Sequence, residues 1–127
     1  MQLLQLFVSL LAGDTMANEA LKQVFREMHD KIVTISPDSV MDVLFSKYII
    51  GSDEFDRLRH VPVPRDRCRD LLLLLHSLPH PQTFIYLRLA LLKDYSWIVD
   101  DIDKQLTSLF QMQQLRLDQS NDGKIML

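Results

Sequence analysis

Five consecutive leucines, Leu71 to Leu75, leave this chain few ways to fold. A basic stretch (Arg65, Arg67, Arg69) precedes them, and Leu78-Pro79-His80-Pro81 ends them, with Phe84 close behind. As a helix, the stretch carries Cys68, Leu71, Leu72, Leu75 and Leu78 on one apolar stripe. Pro79 must stop it, because a proline drives the residue before it out of the helical region. Leu73 and Leu74 fall off that stripe. Either the helix is central and covered on two sides, or these leucines reach the surface in an interface; core is the expected place.

The remaining punctuation supplies more helices. Over Ala17 to Ile32, Leu21, Val24, Phe25, Met28 and Ile32 keep the spacing of one helix face, which predicts a single helix. Ser36-Pro37 provides an N-cap and a proline suited to the first helical position. The second helix turns Val40, Met41, Leu44, Phe45 and Tyr48 inward and ends at Gly51, a residue favoured at helix C-termini. Ser52 can cap a short third helix, with Asp53 and Glu54 in its first turn, where acids suit the helix dipole. Val61-Pro62-Val63-Pro64 then breaks the chain before a fourth helix over Arg65 to Leu78. Pro81 opens a fifth, with Phe84, Leu87 and Leu91 on one side. Ser96 caps a sixth, with Val99, Ile102, Leu106 and Leu109 inward. No stretch alternates in the manner of a half-buried strand, so the expectation is one all-α domain of about six short helices.

Composition narrows the function classes. At 127 residues the chain has the size of one domain, with room for a core but not for a large active-site cavity as well. Its net charge of −3 argues against nucleic acid as a partner. With 3 glycines, at Gly13, Gly51 and Gly123, no phosphate-cradling loop can be assembled. The lone cysteine, Cys68, forms no internal disulfide, which fits a reducing, cytoplasmic setting. Cys68 with His60 or His76 is the one nucleophile–base pairing on offer, but Cys68 sits on the apolar stripe, where a thiol is inert. Of His29, His60, His76 and His80, the last two are four apart, yet Pro79 between them ends the helix that would align them as metal ligands. Tyr95 and Trp97 read as core and rim aromatics. The expectation is therefore no catalytic residue, no metal and no cofactor.

The first twelve residues are nearly all apolar, with Gln2, Gln5 and Ser9 interspersed. They are too few for a membrane span and lack the basic start of a secretory signal. They read as an extension, with the folded domain starting near Met16.

The spacing of Ile49-Ile50, Asp53-Glu54, Leu58, Arg67, Leu71-Leu72-Leu73, Leu78-Pro79, Pro81, Phe84, Leu91 and Trp97 resembles a caspase-recruitment domain (CARD), a member of the death-fold superfamily. The resemblance is best over residues 49–97. It implies a six-helix antiparallel Greek-key bundle that acts by homotypic association, without catalysis or cofactor. The chain would then divide into an apolar N-terminal extension over residues 1–15, a CARD-like domain over 16–110 and a flexible tail over 111–127.

In CARDs, a basic surface from the first and fourth helices meets an acidic one from the second and third helices of the next molecule. Carried onto this chain, the basic side is Lys22, Arg26, Arg65, Arg67 and Arg69, and the acidic side is Asp42, Asp53, Glu54 and Asp56. Different patches on one domain make a heterologous contact that propagates instead of closing. The bland reading is a set of solvated faces, with Arg65–Asp66 and Arg69–Asp70 cancelling locally. Asp100, Asp101 and Asp103 form a second acidic cluster that reads as a solubilising face. The implied function is a CARD-only regulator or adaptor of caspases or their activators in apoptosis or innate immunity, with CARD-containing proteins as partners and self-association open to it. The alternative is a helical bundle for an unrelated protein partner, associating with membranes through residues 1–12.

Overall fold

The computed structural model describes Val8 and residues 15–80 and 82–126, with side chains from Met16 to Leu109 apart from Pro81, and at Val8, Gln111 and Met112. The apolar extension, Val8 apart, lies outside the described residues, as does Pro81. Among the described residues the chain is all-helical. In order the helices are α1 (Thr15–Glu27), α2 (His29–Ile32), α3 (Asp38–Ser46), α4 (Ser52–Arg59), α5 (Pro64–Ser77), α6 (Thr83–Leu92) and α7 (Ser96–Met126).

One apolar core joins them. Leu21, Val24 and Phe25 of α1, Met41 and Leu44 of α3, Leu58 of α4, Leu71, Leu72 and Leu75 of α5, Leu87 and Leu91 of α6, and Ile102 and Leu106 of α7 are all buried. α1 packs on α6 and α7, α3 packs on α6, and α4 bridges α3 and α5. Phe25 and Phe84 stack across α1 and α6, with ring centroids 5.3 Å apart.

Polar latches fix the outer helices. Arg88 of α6 grips Asp103 of α7 through two hydrogen bonds of 2.8 and 2.7 Å. Lys31 of α2 pairs with Asp101 of α7, and the Ser36 N–H donates to the Tyr95 hydroxyl at 3.1 Å. The cluster Asp100, Asp101, Asp103 is thus not simply a solubilising face: two of its three carboxylates hold neighbouring helices. Lys31 accordingly holds the Asp101 carboxyl below the usual carboxylate range.

Three element boundaries differ from expectation. The single helix expected over Ala17 to Ile32 breaks at Met28, whose φ of −93° and ψ of 12° separate α1 from α2. The change of direction lets Ile32, Val33 and Ile35 all enter the core, which a straight helix would fan around its axis. α3 ends at Ser46, not at Gly51. Gly51 instead begins α4, extended at φ −85° and ψ 173°, and its N–H donates to Glu54 Oε1 at 2.9 Å, one half of a capping box. Finally, α7 runs on to Met126 through the segment expected to be a flexible tail. Gln111 to Leu117 are good helix formers, and no proline follows to stop the backbone.

Candidate protein-binding surfaces

α5 distributes its charges by angle around the helix. Arg65, Arg69 and Leu73 recur at helical spacing and share a face, with Asp66 beside it and the half-buried His76 at its inner border. Arg65 and Arg69 are exposed, and Leu73 is 60% exposed in the middle of the stripe. Arg69 pairs with Asp66 at 3.4 Å, one turn back, and not with Asp70. The leucine run therefore splits: Leu71, Leu72 and Leu75 are buried, Leu74 is half-buried, and Leu73 reaches the surface.

Arg67 points the other way. Its Nε and Nη2 donate to the Val61 carbonyl at 3.1 and 2.8 Å, and its Nη1 meets Asp38 Oδ1 at 2.7 Å. Only 14% of its side chain is exposed. The segment Val61-Pro62-Val63-Pro64 has two prolines and so lacks two N–H donors; the guanidinium fork satisfies a carbonyl there. Arg67 closes the entry to α5 and adds little to the basic stripe.

α1 carries further positive charges. Arg26 is exposed and Lys22 half-buried, and both act electrostatically on His76 of α5, as does His29. The His76 ring lies 4.7 Å from Phe84, with Nδ1 buried and without a hydrogen-bond partner among the described residues. Burial first, then Arg26, Lys22 and His29, lower its pKa below the ordinary 6.5 and favour the neutral ring. Thus Lys22 and Arg26 of α1 lie near the His76 end of α5, whose other end carries Arg65 and Arg69.

On the acidic side, Asp42 of α3 and Asp53 and Asp56 of α4 are exposed, while Glu54 is half-buried at the Gly51 N–H. Asp56 pairs with Arg59 at 3.2 Å, which leaves Asp42 and Asp53 without an ion-pair partner among the described residues. Between these helices a depression of about 320 Å³ is lined by Asp38, Met41, Asp42, Phe55, Arg59 and Arg67. Phe45 and Phe55 stack along it, centroids 5.1 Å apart.

Tyr48, expected inward, is 93% exposed. The end of α3 closes in a Schellman motif: the Tyr48 N–H donates to Phe45 O at 3.1 Å, and the Ile49 N–H reaches back to Leu44 O at 3.0 Å. Tyr48 occupies the left-handed position of that motif, at φ 60°, where glycine is usual. Phe45, also expected inward, is 43% exposed. The sequence signal for this early stop was Ile49-Ile50, an apolar pair that buries only if the helix has already ended. Trp97 also lies largely outside, 56% exposed and edge-on to Tyr95.

Cys68 is buried on the core stripe, its thiol directed at the Ile32 carbonyl at 3.4 Å and pushed up to about 11 by burial. Among the described residues no cluster of three metal-ligating side chains occurs, and no helix is long and apolar enough to cross a membrane. No family model, no curated protein and no solved structure matches the chain.

Proposed function

We propose that the chain is a non-enzymatic interaction module of the death-fold type, making homotypic CARD–CARD contacts that recruit or regulate caspases or their activators in the cytoplasm. The observation that carries the reading is unpaired charge of both signs, held on different helices. Lys22, Arg26 and Arg65 on α1 and α5, and Asp42 and Asp53 on α3 and α4, have no ion-pair partner in their own chain among the described residues. Unpaired charges of opposite sign on different helices suit head-to-tail association, in which charge sets partner choice and rate. The break at Met28 also supports the reading, since CARDs commonly have a kinked first helix; counting α1 and α2 as one interrupted helix gives six from Thr15 onward among the described residues.

The test is association measured by light scattering against concentration and salt. The wild type grows into large, salt-sensitive species. Arg26→Glu and Asp42→Lys each stay monomeric, but mixed they form a one-to-one pair, because each retains the surface that the other needs. A wild type that is monomeric at every concentration and captures no CARD-containing protein overturns the proposal.

A further inference from the structure

Tyr48 holds the left-handed position that closes α3, a place the Schellman hydrogen bonds require but that glycine would fill without strain. An L side chain at φ 60° strains the backbone, and glycine would remove the strain. The ring is 93% exposed, so it contributes no core packing in return. Strained residues of this kind are held by the surrounding structure and cluster at functional sites, which makes an exposed one a candidate contact. A tyrosine also offers an apolar ring with a polar tip, the combination suited to anchoring an interface.

A receptor of matching chemistry exists on the other side of the charge division. Between the start of α1 and the corner joining α5 to α6 lies a hollow of about 160 Å³, lined by Glu19, Lys22, Leu78, Pro79, His80 and Phe84. Its walls at Leu78, Pro79 and Phe84 are apolar, and Glu19 supplies a carboxylate able to accept a hydrogen bond from a phenol. The helices on the two sides carry unpaired charges of opposite sign. Asp42 and Asp53 lie on α3 and α4, the two helices that the tyrosine turn joins, with Lys47 next to Tyr48 in the chain, while Lys22 lines the hollow and Arg26 follows one turn on along α1; Asp42, Asp53, Lys22 and Arg26 have no ion pair in their own chain among the described residues.

We infer that Tyr48 is the anchor of the homotypic contact, its ring seated in the Lys22–Leu78–Pro79–His80–Phe84 hollow of a second copy of this chain. The inference rests on the proposed homotypic association and assigns it a residue-level specificity determinant. Knob and hollow lie on different elements, so the contact leaves each copy with one of each still open, and it propagates.

Thiol cross-linking of the full chain tests this. Lys47→Cys and His80→Cys place thiols beside the knob and on the rim of the hollow, with Tyr48 intact; native Cys68 is buried and does not compete. Mixed under associating conditions with a short bismaleimide, the two variants form a cross-linked heterodimer, whereas Lys47→Cys with Asp100→Cys does not. Adding Tyr48→Gly to the Lys47→Cys chain removes the cross-link and lowers the apparent affinity at least tenfold, while the melting temperature rises by a few degrees. That rise separates a lost contact from a lost fold. Association that persists without the 47–80 cross-link, and is indifferent to Tyr48→Gly, overturns the anchor and leaves the homotypic reading standing. Absence of any association overturns both.

Discussion

The start of α5 and the end of α3 solve opposite problems. At the first, a long charged side chain turns inward: Arg67 lies along a proline-rich entry and satisfies the Val61 carbonyl. At the second, an aromatic side chain turns outward: Tyr48 sits in a strained turn with its ring in solvent. The first region gives up surface charge for internal order, and the second holds a left-handed residue that leaves an aromatic ring in solvent. The comparison teaches that residue type does not decide which groups are available to a partner here; the backbone polar groups left over at helix ends do.

The sharpest way to break the comparison is to remove the clamp. Arg67→Ala strips three charge-assisted hydrogen bonds from a largely covered guanidinium, two of them to the Val61 carbonyl, which is left without that donor, at a cost of about 2–3 kcal/mol. Arg67→Lys recovers only part of this, since an ammonium cannot form the fork. Asp38→Asn costs well under about 1 kcal/mol, because that carboxylate is 64% exposed. Urea denaturation of the three variants gives the ranking. Wild-type stability in Arg67→Ala would mean that the arginine is as free as its neighbours. For the same reason Arg67→Glu is a poor probe of partner binding.

Much of this architecture was legible in the sequence, for reasons that also explain the failures. Pro37, Pro62, Pro64 and Pro79 remove donors or forbid helical dihedrals, so the helix boundaries near them could be read directly. The stripes of α5, α6 and α7 follow from spacing alone, and Leu71, Leu72, Leu75, Leu87, Leu91, Ile102 and Leu106 are buried as expected. Side-chain direction could be read only where helix extent was right. α3 was extended one turn too far toward Gly51, which turned Tyr48 inward on paper. Arg67 was missed because its partner is a backbone carbonyl six residues upstream, and residue patterning carries no sign of such an acceptor.

At the other end of the comparison the expected sign reverses. Tyr48→Gly relieves a left-handed L residue that buries nothing, and so stabilises the folded chain by about 1 kcal/mol. Thermal unfolding measures it directly. A destabilised Tyr48→Gly protein would show that the ring supports its own turn, and would remove the argument that it is held for a partner.

His76 lies between the two extremes, inward-facing but bordered by basic residues. Its folded-state pKa lies below the unfolded value near 6.5, chiefly through burial and then through Arg26, Lys22 and His29. The neutral ring therefore contributes stability that is fully present above about pH 6.5 and is lost as pH falls through the folded value. Between pH 7 and pH 5 the wild type should lose stability, and His76→Leu should lose less, as read from urea midpoints at each pH. Parallel curves for the two proteins would place the acid-sensitive group elsewhere.

The smallest effect on stability is expected at Arg69, and it is the most informative. Arg69 is half-exposed, and its one ion pair, to Asp66 at 3.4 Å, is of the surface kind worth little. Arg69→Glu should shift the urea midpoint by no more than about 0.5 kcal/mol equivalent. It replaces an exposed positive charge one turn from Arg65 on α5, so association with an acidic surface should fall sharply and lose its salt dependence. If Arg69→Glu unfolded the chain as readily as Arg67→Ala, both arginines would be internal struts, and the division of α5 into a clamped side and a presenting side would fail. If it folded and associated as before, the presenting side would be only a solvated face. Folding unchanged with association lost is the one result that keeps two residues, two positions apart on one helix, in two different roles.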